Sequence, residues 1–371
     1  AWYHIVVAID TTQSSLADGV KFYINGARDT DYDGTPVYNQ NATFEIGRSG
    51  STTAVGMLQQ NSSQFYDGYL AEMHFIDGAQ KDETDFGEFN ENGVWVPKEY
   101  TGTYGNNGFF LAFLNSGNPG VDTSGNSQTF TSNNFTAEDN TTDTCTNNFC
   151  TLNPLTAGSR GTFSEGNVKV VVNMQGSVPY GQVEFGNFYV NKGKWYYEVK
   201  ATAVGGGGQV VFGWNERHED GSYYNGHNNL GSAGNVWYGD DGKFQDGSTS
   251  NTTAPNTYAD GDVIGIACDF DNKKFYAHKN GTYQSNGTGT GDPSNGTNGF
   301  SFTSSYNDFW TPWISKDSDN HSHSPTAEFN FGNAPFEISS GNSDGSGYGN
   351  FEYAVPTGFY SLCTKNLAEY G

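Results

Sequence analysis

GDVIGIACDFDNKKFYAHKNG, residues 261–281, reads as two strands and the turn that joins them. Ile264, Ile266, Cys268 and Phe270 recur at every second position, so they share one face of an extended chain. The chain then reverses through Asp271-Asn272, residue types that tolerate the backbone of a turn. No stretch of the chain keeps a convincing helical period of 3.6 residues. A hairpin with one apolar face has to be covered by a second layer.

The same period recurs outward along the chain. In WYYEVKATAV (195–204), Trp195, Tyr197, Val199 and Ala201 share a face, and Gly205 to Gly208 mark a turn before QVVFGWNE. FWTPWIS and TAEFNFG follow at 309–315 and 326–332. Upstream, Val20, Phe22 and Ile24 share a face of VKFYING, which ends in the turn pair Asn25-Gly26. TFEIGRS turns Phe44 and Ile46 inward, GYLAEMHFIDG alternates Tyr69, Ala71, Met73 and Phe75, and GFFLAFLN starts a strand after Gly108. Many short strands at this spacing predict an all-β chain of two antiparallel β-sandwiches in tandem. The predicted domains are 1–116 and 161–371, joined by a polar linker over 117–160. The opening AWYHIVVAID lies in the middle of a strand-like run and is read as an N-terminally truncated first domain.

Only 34% of the residues are hydrophobic, so Phe (27), Tyr (23) and Trp (7) must supply much of the core. The net charge of −24 repels phosphate backbones and anionic lipid, which argues against nucleic-acid and membrane partners. Charged residues make up only 16%, leaving a surface of neutral amides and hydroxyls that suits an extracellular or virion-surface protein. Among the cysteines, Cys268 reads as core packing. Cys145 and Cys150 stand close together in DTCTNNFC, where a local disulfide is one reading and two free thiols the other.

Catalytic patterns are sparse. Glycoside hydrolysis needs two carboxylates at a set separation, and in YLAEMHFID Glu72 has no alternating acid beside it. There is no G-x-S-x-G, and VGGGGQ lacks the lysine and helix of a phosphate loop. The expectation is a binding protein and not an enzyme. DTDYDG places Asp29, Asp31 and Asp33 ahead of Gly34, a pattern open to Ca2+, although Gln40 excludes a complete EF-hand loop and a solvated acidic turn is the preferred reading. His321 and His323 form an H-x-H pair that reads as a surface loop ahead of a transition-metal ligand set. Asn280, Asn286 and Asn295 begin N-x-T triplets and read as turns. Sugar recognition sets aromatic faces beside amides, and Trp214, His218, Tyr223, Tyr224, His227, Trp237 and Tyr238 supply both within one loop-rich stretch. Burial of Trp214, Trp237 or Tyr238 in the core is the competing reading.

Two resemblances rest on these segments. WYHIVVAID, VKFYING, FEIGRS and FYDGYLAEMHFIDG resemble the second half of a laminin-G-like, concanavalin A-type jelly roll. GKWYYEV, VVFGW, the 261–281 hairpin and WTPWIS resemble a SPRY domain. The junction segments GVWVPKEYTGTYGNNGFFLAF and DTCTNNFCTLNPL and the ending VPTGFYSLCTKNL resemble tail-fibre proteins of marine bacteriophages, with Cys145 where a proline is expected. That resemblance implies a virion-surface, homotrimeric receptor-binding protein that contacts a host-surface glycan or receptor and other virion proteins. A capsid or filament decoration protein is the alternative, with a polysaccharide depolymerase behind it.

Overall fold

The computed structural model describes residues 2–31, 37–43, 52–58, 63–66, 68–115, 117–135, 139–156, 161–172, 182–204, 210–216, 234–246, 252–253, 256–304, 308–316 and 324–371. The chain forms two compact units, Ala1–Asn140 with Thr144–Thr146, and Thr141–Asp143 with Asn147–Gly371. The architecture is mostly β, built from antiparallel sheets, as the alternation predicts. No helix among the described residues is long and apolar enough to cross a membrane.

In the first unit, β1 (Ile5–Ile9), β2 (Val20–Ile24) and β3 (Ala27–Asp29) form one sheet, with the short helix α1 (Leu16–Gly19) leading into β2. The Asn25-Gly26 turn is where it was expected, both residues having positive φ (49° and 77°) as a two-residue hairpin requires. Strands β4 (Met73–Phe75) and β7 (Phe109–Leu111) pair, as do β5 (Gly87–Phe89) and β6 (Trp95–Pro97). The alternation over 69–75 becomes a strand only from Met73. Glu72 takes a left-handed φ of 49° and breaks the extended backbone, leaving Tyr69 exposed. His74 lies flat on Phe110, ring centroids 4.2 Å apart, and shares a hydrogen bond with Tyr104. Burial there holds its imidazole down at about 4. Phe44 and Ile46 lie outside the described residues.

The second unit begins with β8 (Thr162–Ser164), β9 (Lys169–Val171), β10 (Gln182–Phe185), β11 (Lys194–Ala203), β12 (Val210–Glu216), β13 (Asn235–Gly239), β14 (Lys243–Asp246) and β15 (Thr252–Thr253). It continues with β16 (Val263–Asp269), β17 (Lys274–Lys279), β18 (Thr282–Tyr283), β19 (Phe300–Ser301), β20 (Trp310–Lys316), β21 (Thr326–Asn330), β22 (Tyr360–Ser361) and the helix α2 (Thr364–Tyr370). One sheet runs β10-β20-β12-β13-β14-β15 and the other β18-β17-β16-β11-β21-β9-β8, with β22 added in parallel to β11. Their facing sides make the main core. Trp195, Tyr197, Val199 and Ala201 of β11, with Ile264, Ile266 and Cys268 of β16 and Phe270 just beyond it, point into it as their alternation requires. Tyr197 meets Trp214 of the opposite sheet edge-on at 5.6 Å and donates its hydroxyl to the Gly213 carbonyl at 2.6 Å.

Residues 147–153 of the predicted linker are stitched into this unit. Cys150 N donates to Leu362 O, Asn153 N to Phe185 O and Thr364 N to Asn148 O, at 2.8 to 2.9 Å. Phe149, Cys150 and Leu152 are buried. This corrects the reading of a Cys145–Cys150 bridge. All four cysteines are free, with Cys145 exposed and Cys150 turned into the core, where burial pushes its thiol up to about 12.

Candidate recognition site

Three of the aromatic residues assigned to ligand binding are core residues instead. Trp214 and Tyr238 are fully enclosed between the two sheets, and Tyr238 donates its hydroxyl to the Asn256 carbonyl. Trp237 points to the other face of its sheet but is also buried, in a small cluster with Val183, Phe185, Val211 and Trp313. None of the three presents a ring face to a ligand. The physical reason is their place on β12 and β13, central strands in which both faces are covered. His218, Tyr223, Tyr224 and His227 lie outside the described residues, as do His321, His323 and Asp33. Asp29 accepts the Asp31 amide at 2.9 Å, a local turn. Among the described residues no group of three or more His, Cys, Asp or Glu is placed to hold a metal ion.

What the sequence concealed lies on the outer face of the β11-β16-β17 sheet. Tyr196 and Glu198 alternate with the core-facing residues of β11 and would be expected in solvent, yet both are fully buried. The C-terminal segment crosses over them, bringing Phe351 and Phe359 onto Tyr196. Glu198 Oε1 accepts from Tyr196 OH (2.9 Å) and Tyr353 N (2.8 Å). Its Oε2 accepts from Asn330 Nδ2 (3.1 Å) and Glu352 N (3.0 Å). His278 completes the node, its Nε2 2.7 Å from Tyr196 O and its Nδ1 accepting the Gly281 amide at 3.2 Å. Nδ1 accepts the Gly281 amide and Tyr196 donates its hydroxyl hydrogen to Glu198, so the imidazole is neutral and donates through Nε2 to the Tyr196 oxygen. Burial lowers His278 to about 3, and burial outweighs four hydrogen bonds to raise Glu198 to about 6.

Gly265, opposite His278 across the β16–β17 pair, makes room for this ring. A Cβ there would lie 1.8 Å from His278 Nε2. Gly265→Ala is expected to cost about 3 kcal/mol, the upper end of core overpacking, because the ring is held on both nitrogens. Chemical denaturation measures this, and an unchanged midpoint would mean that His278 moves aside freely.

The node anchors both sides of a surface cleft of about 850 Å³. One side is the loop running from Gly281 to Thr297, hung on His278 through the Gly281 amide. The other is Ala354–Thr357, which directly follows the Glu352 and Tyr353 amides held by Glu198. Thr357 N donates to Ser294 Oγ at 3.0 Å and ties the sides together. Tyr283, also lining the cleft, packs edge-on against His278 at 5.2 Å, and its buried hydroxyl has no hydrogen-bond partner.

Residues 194–296 match the SPRY domain family, so the second unit carries a SPRY domain. The solved SPRY domain of human HERC1 is similar at 13% identity, covering 48% of this chain and 96% of that one, with a TM-score of 0.36. No curated protein matches the chain.

Proposed function

We propose that this chain, with a SPRY domain at residues 194–296, is a recognition protein that holds a surface ligand and performs no chemistry on it. The observation that supports this reading is the SPRY sandwich itself, with a cleft built from loops on its outer face. The setting we propose is a phage tail fibre on the virion surface, homotrimeric and in contact with other virion proteins. Its ligand would be a host-surface glycan or a surface protein. The laminin-G-like character of residues 1–116 belongs to the same proposal. Several weak sites on one oligomer suit reversible adsorption, since linked sites multiply their individual affinities.

The test is binding of the labelled, purified protein to an array of bacterial surface polysaccharides and to whole host cells, with calcium and with chelator. Saturable binding to a few polymers is expected. Loss of binding in chelator would assign a Ca2+ role to Asp29, Asp31 and Asp33. Binding to neither cells nor polymers would sink the recognition reading in favour of a decoration protein.

A further inference from the structure

Building on that recognition reading, we infer that the cleft between the Gly281–Thr297 loop and Ala354–Thr357 is the ligand site, and that it takes a neutral saccharide.

The chemistry of the lining selects this class. Thr282, Thr290, Ser294, Thr297 and Thr357 place hydroxyl side chains around the opening. Hydroxyls both donate and accept, which matches the same dual capacity of sugar hydroxyls. Pro293, Val355 and Pro356 add compact apolar surface between them, suited to the C–H face of a sugar ring. Among the described residues no Lys, Arg or His lines the cleft, and the one charged side chain there is the carboxylate of Asp292. Asn295 holds that carboxylate in its ionised form through its backbone and side-chain amides, at 3.2 and 2.6 Å. An anionic ligand would therefore meet a negative charge and no counter-charge, within a chain of net charge −24. A volume of about 850 Å³ is enough for a short oligosaccharide.

Tyr283 supplies a second, independent indication. A buried hydroxyl without a partner is disfavoured by about 1–3 kcal/mol. Its phenol is the lining group whose hydrogen bond the protein leaves unmade. The hydroxyl is closed to solvent, so a ligand hydroxyl would provide that bond once the Thr282–Tyr283 wall shifts on binding. Anchoring of the two sides on His278 and Glu198 limits how much else must order on binding.

The experiment compares the full chain with Tyr283→Phe and Thr290→Trp. Dextran, mannan and galactan fragments serve as neutral probes, and uronic-acid polymers and whole host cells are assayed in parallel. Tyr283→Phe removes only the unpaired hydroxyl, so its melting temperature should hold or rise while affinity for a neutral glycan falls about tenfold, the equivalent of one hydrogen bond of about 1.4 kcal/mol. Thr290→Trp, at an exposed position, fills the cleft and should abolish binding with the fold intact. Unchanged neutral-glycan binding by both folded variants would overturn the cleft assignment and leave recognition standing. Binding confined to uronic-acid polymers, or to cells but no glycan, would overturn the ligand class. Wild-type binding to nothing, cells included, would remove the recognition reading itself.

Discussion

Glu198→Ala is expected to destabilise the second unit by about 3–5 kcal/mol, since it strands four donors at once, two of them fully buried. These are the Tyr196 hydroxyl, the Asn330 amide group and the backbone amides of Glu352 and Tyr353. Glu198→Gln keeps one acceptor oxygen and should lose about half as much. Equilibrium denaturation separates the two variants, and a loss below about 1 kcal/mol for the alanine variant would mean that water replaces the carboxylate.

The pH dependence follows from the same node. Glu198 titrates at about 6 in the folded chain against an ordinary 4.5, so the native state keeps a proton that the unfolded chain releases in between. Its contribution to stability is fully present below pH 4.5 and is lost as pH rises through 6. His278 runs the opposite way. Folded, it binds a proton only near pH 3 against an ordinary 6.5, so its contribution is present above 6.5 and is lost as pH falls toward 3. Between pH 4.5 and 6 the two slopes oppose each other in the wild type. Glu198→Gln removes one of them, so the stability difference, wild type minus variant, should fall by about 2 kcal/mol over that window. A difference that stays flat or rises would show that Glu198 remains ionised throughout.

The second large effect is expected at Asp344, which ties the end of the chain to the sandwich. Its Oδ2 accepts from Ser361 N (2.9 Å), Ser361 Oγ (2.6 Å) and Asn366 Nδ2 (2.7 Å). Its Oδ1 accepts from Ser346 N (2.9 Å) and Tyr348 N (3.0 Å). Helix α2 is too short to persist alone, and this carboxylate together with the Tyr360–Tyr370 stack at 3.7 Å holds it in place. Asp344→Ala should cost about 3 kcal/mol and expose α2 to protease. Resistance of α2 to proteolysis in the variant would place the anchoring in the aromatic stack instead.

Much of the fold was legible because alternation is a local property. A strand that is apolar at Trp195, Tyr197, Val199 and Ala201 can bury that face only as a strand, and the 261–281 hairpin carries the same message. Asn25-Gly26 declared its turn for a similar reason, since Gly26 adopts positive φ without steric cost. The candidate site was less legible. Trp214, Trp237 and Tyr238 have the chemistry of a sugar platform, but aromatic side chains serve equally as core, and here they fill it. The one available hint of the buried node was the polar run of Tyr196, Glu198 and His278 on strands whose other face is apolar, a pattern that ordinarily means solvent.

The sequence by itself determined several of the strands, the face that β11 and β16 turn to the main core and the SPRY character of the second unit. These depend on side-chain period and on motifs a few residues long. Only the tertiary structure decided what covers the other faces. Glu198 meets the Tyr353 amide across 155 residues of chain, and the cleft joins Ser294 to Thr357 across 63. Contacts so distant leave no period in the sequence, because any segment with free amides and a few aromatic residues could have made them.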